Sequence, residues 1–168
     1  MLLTLARNIR PLDFIFMSDK NQIAKTIDAH NRRASYEFFF LENFTAGVVL
    51  TGTEIKSIRM SQFNMQDAFC SFKDGELFIT NFHISPYEKG THYNHPPLRE
   101  RKLLLKKREL KRLSIKLKDQ GLTIVPTRLY INDRGRAKFE IALAKGKKLY
   151  DKRESIKERD VQRDTDRY

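Results

Sequence analysis

The stretch from Arg99 to Lys118, RERKLLLKKRELKRLSIKLK, constrains the fold most, because it is strongly basic and yet spaces its leucines like a helix with one buried face. Ten of its residues are Lys or Arg and two are Glu, which gives a net charge of +8. The leucines on one narrow helical face are Leu103, Leu110, Leu113 and Leu117. A stripe of this kind packs on a core while the cations stay in water.

The helix itself is expected to begin near Lys106, because three consecutive leucines cannot share one helical face. Residues Lys102 to Leu105, just before the helix, are then expected to be extended or to form a turn. Gln120-Gly121 ends the helix, since Gly is favoured just past a helix C-terminus. Leu104 and Ile115 fall on the side away from the stripe. A merely solvated amphipathic helix is the alternative interpretation of this stretch.

The charge of the whole chain favours a binding function for this basic helix over a merely solvated one. The 168 residues carry a formal charge of +12, with a pI near 9.9. Such an excess indicates a polyanionic partner, and nucleic acid is the first expectation. An anionic membrane surface is the competing one, but no stretch approaches the roughly 20 apolar residues of a spanning helix. The length suits one domain with tails.

The single cysteine and the first residues bear on the compartment. Cys70 lies in an alternating apolar run and has no second cysteine to pair with. It is predicted to be a buried thiol in a reducing compartment, the cytoplasm. Met1 to Phe16 is apolar-rich, but charges and a proline interrupt it and it lacks a small-residue cleavage site, unlike a signal peptide. The polar segment from Met17 looks like a natural start, so translation is expected to begin there.

Residues 31–144 are predicted to form the folded domain. Several short strands with Gly-marked bends favour a mainly β fold, a small closed antiparallel barrel of the oligonucleotide-binding kind with two or three short helices. The expected strands are Tyr36–Phe44, Ala46–Leu50, Ala68–Lys73, Glu76–Ile84, Leu122–Asn132 and Ala137–Ala144. Asp74-Gly75 is the hairpin turn between the third and fourth strands. Pro126 marks an edge strand or a bulge.

Two connections inside this domain have their own patterns. Thr53 to Arg59 spaces its isoleucines as one or two helical turns, with Thr53 as the cap and with Lys56 and Arg59 on the outer side. Ser85 to Leu98 contains three prolines and a glycine, so it is predicted to be a long loop of the functional or mobile kind.

Both ends of the chain are polar and charged. Residues 1–30 are expected to form a disordered extension, and the polar arm from Ser18 to Ser35 to become ordered only on a partner. Residues 145–168 contain nine basic and six acidic residues and few large apolar ones, so they cannot build a core. Asp151 and Glu154 have capping-box spacing. The tail is predicted to be disordered when free and helical along RNA, with an inert solvated helix as the alternative.

Patterns that would indicate catalysis or a cofactor are weak. Gly146-Lys147-Lys148 lacks the other residues of a phosphate-binding loop. Histidines 83, 92 and 95 do not match the spacing of a zinc site with Cys70. The acid pairs of the tail have nothing to desolvate them. We therefore expect no enzyme, no metal and no cofactor.

Six ordered motifs together resemble one family. They are NRRASYEFFF, AGVVLTGTEIKSIR, HISPYEKG, RKLLLKKREL, GLTIVPTRLY and AKGKKLYDKRESIKERD. From about Asn31 to about Asp160 they follow one another as in the SsrA-binding protein (SmpB) of bacterial trans-translation. The resemblance implies an oligonucleotide-binding-fold barrel that binds the tRNA-like domain of transfer-messenger RNA and accompanies it to stalled ribosomes. The tail would then stand in for codon–anticodon pairing in the decoding region and message channel of the small subunit.

The resemblance and the charge pattern together nominate site residues. Those expected on the RNA-facing surface of the barrel are Asn31, Arg32, Arg33, Tyr36, Lys56, Arg59, Arg101, Lys102, Leu104 and Lys138. Those expected on the ribosome, in the tail, are Lys145, Lys147, Lys148, Tyr150, Asp151, Lys152, Arg153, Ile156 and Val161. A monomer is expected, with alanyl-tRNA synthetase and elongation factor Tu as further partners through the shared RNA.

Two positions depart from the family pattern, and two other functions stay open. Thr45 stands where the family usually has Glu, which puts that RNA contact in doubt, and Tyr36 stands where a His is common. A tyrosine keeps the ability to stack on a base. The alternative binding function is a general ribosome- or RNA-associated barrel without a dedicated RNA. The alternative enzymatic function is RNA processing by the three histidines.

Overall fold

The computed structural model describes residues 27–90, 94–118, 121–148, 151 and 165. Its helices are α1 (Arg32–Glu37), α2 (Gly52–Arg59) and α3 (Lys107–Lys116). Its strands are β1 (Asp28–His30), β2 (Phe38–Val48), β3 (Phe63–Asn64), β4 (Phe69–Lys73), β5 (Glu76–Thr80), β6 (His83–Ile84), β7 (Arg101–Leu104), β8 (Leu122–Ile131) and β9 (Ala137–Gly146). The expectations for residues 1–26, including the start at Met17, lie outside the described residues.

The strands form a ring-like antiparallel sheet, as predicted for a mainly β barrel. Its order is β1-β8-β4-β5-β7-β2-β9, and β9 also pairs with β8. The expected closure is not strict, because β4 meets β8 at one residue pair only, Cys70 with Ile124. β3 and β6 form a separate two-stranded ribbon. β8 and β9 are ten residues each and are joined by the tight turn at Asp133 to Gly135.

The first aromatic run folds differently from the prediction of two strands. Arg32–Glu37 is helical, and β2 then continues without interruption from Phe38 to Val48. Asn31 caps α1 by accepting a hydrogen bond from the Ala34 N–H at 3.1 Å, a local contact that outweighs the extended propensity of the following aromatics. The strand accommodates Leu41 as a bulge between Phe40 and Glu42.

The expectation of a disordered arm up to His30 is wrong at its C-terminal end. Asp28–His30 pairs with Tyr130, Leu129 and Arg128 of β8. The buried Asn31 donates from its amide to the carbonyls of Met65 at 2.9 Å and Pro126 at 3.0 Å. These long-range bonds order the segment from within the chain, without a partner.

The Asp74-Gly75 hairpin is confirmed, with both residues at positive φ, +51° and +78°. The fifth strand ends at Thr80, earlier than expected, because Asn81 also adopts a positive φ of 56° and the chain turns into β6. Pro126 lies at a register shift of β8, the predicted bulge, although β8 pairs on both sides and is no edge. At α2 the cap is Thr51, in a capping box with Glu54, and not Thr53.

The basic helix α3 lies on the core as its leucine stripe predicts. Leu113 is fully buried, and Leu110 and Leu117 pack against the same cluster. Leu103 is also buried, but on the preceding strand β7. Leu104 and Ile115 are 50% and 58% exposed, on the predicted outer side. In the part of the chain that the structure describes, no helix is long and apolar enough to span a membrane.

Candidate nucleic-acid interface

Two adjoining grooves on the outside of the barrel share the side chains of Leu104 and Lys138. The smaller, of about 350 Å³, is lined in addition by Gly47, Val48, Leu50, Ile55, Gly135, Arg136 and Ala137. The larger, of about 500 Å³, is lined in addition by Asn43, Phe44, Thr45, Leu105, Lys106 and Glu109. The half-exposed Leu104 is therefore an apolar ridge between two shallow depressions, each with cations at its edge.

Strand register explains why these residues meet. Gly47 of β2 lies opposite Leu104 of β7 on one side and opposite Lys138 of β9 on the other. Because side chains alternate along a strand, all three face outward while Ala46 and Phe139 fill the core. A Cβ at position 47 would lie 3.4 Å from the Leu104 Cβ. The absence of a side chain at Gly47 keeps the floor of the grooves open.

The cations of α3 fall into two groups. Arg112 and Lys116 are bound to the Glu42 carboxylate, at 2.5 Å and 2.7 Å. The α3 cations without a carboxylate within 4 Å among the described residues are Lys107, Arg108 and Lys111, all exposed, and Lys118 just after the helix resembles them in both respects. The free group continues through Lys106 into the larger groove. It forms the phosphate-binding surface that the helix can offer, since charge already neutralised at short range attracts a polyanion less.

The turn between β8 and β9 closes the other side of the smaller groove. The Arg59 guanidinium of α2 donates to the Gly135 carbonyl at 3.2 Å, and Asn132 accepts from the Arg136 N–H at 2.8 Å. Gly135 adopts a φ of +71°, which favours glycine. Arg136 and Lys138 thus project beside the Leu104 ridge from a braced turn. Sequence reasoning did not single out Gly47 or Arg136; a glycine within a strand was the signal for the first.

Arg101, expected on the RNA surface, belongs instead to the core. Its side chain is fully buried and bonds to Glu54 at 2.9 Å, which Arg99 also contacts at 2.7 Å. Burial would raise the pKa of Glu54, but hydrogen bonds from Arg99 and the Thr51 N–H, with the charge of Arg101, lower it to about 2. Burial lowers the pKa of Arg101, and Glu54 opposes that shift. Arg101 therefore has no surface to present to RNA.

Comparison with known proteins gives the family. The family model described as "SmpB protein" matches residues 28–168. This chain belongs to the SmpB family. The "SsrA-binding protein" of Cytophaga hutchinsonii is 56% identical over 151 residues, 90% of this chain and 98% of that relative. The "SsrA-binding protein" of Flavobacterium psychrophilum is 54% identical over 143 residues, covering 85% and 95%.

A solved structure of the same family shares the fold. A chain of "tmRNA-SmpB: a journey to the center of the bacterial ribosome" is 48% identical, covers 73% of this chain and 85% of its own length, and superposes with a TM-score of 0.62. The resemblance that the six motifs indicated is thereby confirmed at the level of family and fold.

The other barrel residues expected on RNA are scattered. Asn31 is buried in hydrogen bonds, and Arg33 is paired with Glu37 at 2.9 Å and with Asp67 at 2.5 Å. Lys102 is paired with Glu76. Arg32 is exposed and Tyr36 is half-buried in α1.

Lys56, the remaining cation of α2 in the predicted set, lies apart from the grooves. Its ammonium is 5.2 Å from the centre of the Tyr87 ring. Of the predicted set, only Leu104 and Lys138 line both grooves, with Arg59 bracing the turn beside them.

Part of the tail of this family member is described. Lys145 and Lys148 are exposed, and Lys147 lies against the barrel. Asp151 is helical, and its carboxylate accepts from the Lys148 N–H at 3.0 Å. Glu154, the other residue of the predicted capping box, lies outside the described residues. The tail residues that lie outside the described ones are Tyr150, Lys152, Arg153, Ile156 and Val161.

Among the described residues, which do not include His92, no three candidate metal ligands cluster. His95 is buried between the Thr53 hydroxyl, 2.9 Å from its Nδ1, and the Ile84 carbonyl, 3.2 Å from its Nε2. Both ring nitrogens are therefore used in holding the loop to α2 and β6. His95 has a structural function here.

Proposed function

We propose that this SmpB family member is an adaptor of trans-translation that binds transfer-messenger RNA. The observation that carries the proposal is the pair of grooves beside Leu104 and Lys138. They are bordered by cations of α3 that have no carboxylate partner among the described residues, in a chain that is 54–56% identical to proteins called SsrA-binding protein. The grooves are shallow and open, which suits a folded RNA surface better than a small molecule.

The geometry supports recognition by shape. The exposed ammonium groups of Lys107 and Lys111, which have no carboxylate partner in the described part of the chain, are placed for phosphates. Phosphate contacts fix register without reading sequence. The Leu104 ridge offers apolar contact to a sugar or an unstacked base, and Lys138 adds a charge at the centre of the surface. Thr45 lines the larger groove and supplies a hydroxyl where a carboxylate is usual. A neutral Thr45 leaves this surface more positive.

The tail is proposed to act separately, on the small subunit of a stalled ribosome in the cytoplasm. Its residues after Lys148, through Val161, would occupy the decoding region and the vacant message channel. Alanyl-tRNA synthetase and elongation factor Tu would meet the protein through the shared RNA. The charge of the chain, +12, favours each of these RNA-rich settings.

A competition experiment tests the RNA. Labelled transfer-messenger RNA bound to the purified protein is challenged with unlabelled transfer-messenger RNA or with bulk tRNA in a gel shift. We expect bulk tRNA to compete at least tenfold less well, about 1.4 kcal/mol of specificity. Equal competition would support the alternative, a general RNA-binding barrel.

Truncation tests whether the barrel binds the RNA while the tail acts on the ribosome. β9 continues to Gly146 and Lys147 contacts the barrel, so the appropriate cut is after Lys148 and not after Ala144. The shortened protein should bind the RNA with unchanged affinity and fail to support peptide tagging on stalled ribosomes. Loss of RNA binding on this truncation would show that the tail belongs to the RNA site.

The proposed function is that of an adaptor without a reaction of its own. If a histidine cleaved RNA, purified protein would shorten transfer-messenger RNA during incubation, and alanine at positions 83, 92 and 95 would stop it. We expect the RNA to remain intact with either protein. Cleavage that disappears in the triple variant would instead establish the processing enzyme.

A further inference from the structure

The base of the tail is fastened to the barrel at one side chain, Lys147. Its ammonium lies 4.9 Å from the centre of the Phe39 ring and donates a hydrogen bond of 3.2 Å to the Ser35 carbonyl in α1. Its backbone N–H donates to the Glu37 carbonyl at 2.9 Å. Lys147 is therefore held by three contacts, with the Phe39 ring, the Ser35 carbonyl and the Glu37 carbonyl. All three partners lie in the segment from Ser35 to Phe39.

The ring of Phe39 has little other structural function. It is 46% exposed at the second residue of β2, opposite Lys145 of β9. A ring this open adds little to the core. A cation over an exposed aromatic face, in contrast, shifts a local equilibrium by about two- to fivefold.

The residue after Lys147 is held as well. The Lys148 N–H donates to the Asp151 carboxylate at 3.0 Å, and Asp151 is helical. Lys147 is thus followed directly by a residue that is bonded to Asp151, so the orientation of Lys147 is passed on to Asp151.

We infer that the contacts of Lys147 with Phe39 and Ser35 form a clasp that sets the direction in which the tail leaves the barrel. Phe39 and Lys147 are then positioning residues for the work of the tail on the ribosome. The inference rests on the proposed function, in which the barrel holds one RNA while the tail engages a second site. A loosened junction lowers the effective concentration of the tail at that second site without changing the first.

The test compares Phe39→Ala with Phe40→Ala, its neighbour in β2. Phe40 is 38% exposed, and its ring faces no Lys or Arg within the described ranges. We expect Phe39→Ala to bind transfer-messenger RNA within twofold of the wild type, to tag stalled peptides two- to fivefold more slowly, and to exchange the Lys147 amide proton two- to fivefold faster. Phe40→Ala and the conservative Phe39→Tyr should match the wild type in all three.

A second variant, Phe39→Leu, keeps an apolar side chain and removes the aromatic face, and it should reproduce the tagging defect. It covers the case of a Phe39→Ala protein that does not fold. The clasp is refuted if Phe39→Ala tags at the wild-type rate, if Phe40→Ala is equally slow, or if RNA affinity falls in parallel with tagging. A wild-type protein that does not bind the RNA at all would count against the proposed function and not against the clasp.

Discussion

Replacing Lys107 and Lys111 with glutamine removes two exposed cations from α3 that have no carboxylate partner among the described residues. If each contacts one phosphate, the slope of log K against log salt should fall by about 1.8, since each neutralised phosphate of a duplex contributes roughly 0.9. Between about 50 and 200 mM salt the variant should then lose about 12-fold less affinity than the wild type.

The matched control replaces Arg112 and Lys116, which lie on the same helix and give the same change in net charge. Both are bound to Glu42, at 2.5 Å and 2.7 Å, so they have less to offer to RNA. Their removal should change the slope by less than half as much. It should also cost a little stability, since surface ion pairs of this kind contribute about 0.2–1 kcal/mol each.

The assay is fluorescence anisotropy of the labelled tRNA-like domain of transfer-messenger RNA, titrated at five or more salt concentrations. Thermal unfolding of each variant confirms that the fold is intact. Equal slopes for the two double variants would show that pairing with Glu42 does not decide which cations bind. A slope unchanged from wild type in the variant at Lys107 and Lys111 would remove α3 from the RNA surface.

Three further predictions concern single residues. Gly47→Val fills the floor of the grooves and should weaken RNA binding on the order of tenfold, measured by titration, at unchanged Tm. Full affinity in this variant would show that the RNA does not bind in the grooves. Glu54→Gln leaves Arg101 buried without its anion and should cost about 3–5 kcal/mol in denaturant unfolding. The pKa of Glu54 is lowered from 4.5 to about 2, so its ionised form stabilises the folded wild type fully above pH 4.5. Thermal melts of the wild type should therefore lose this stabilisation as the pH falls from 4.5 toward 2. Melts of Glu54→Gln should show no such loss.

The parts of the fold that sequence predicts well are those set by local pattern. Two features are determined by residues of a single segment: the buried stripe of Leu110, Leu113 and Leu117, and the Asp74-Gly75 turn. The spacing of the leucines and the backbone preference of Asp-Gly are enough to predict them. The same holds for the exposed side of Leu104 and Ile115. Periodicity decides which face is buried when one element packs on one core.

The parts that sequence does not predict depend on partners far along the chain. Arg101 looks like one more cation of a basic run, and only Glu54, 47 positions earlier, shows why it is buried. Asn31 and β1 are ordered through β8, about 100 positions later. The site has the same limit: the groove requires Gly47, Leu104 and Lys138 to be adjacent in three strands, a register that composition does not encode.

The most direct measurement places a photo-crosslinking amino acid at Leu104, with Leu98 as the control. The two side chains are 50% and 59% exposed, so accessibility alone would label both. With transfer-messenger RNA bound and irradiated, we expect crosslinks to its tRNA-like domain from position 104 and none from position 98. Crosslinks from position 98 with none from position 104 would contradict the assignment of the RNA to the grooves beside Lys138.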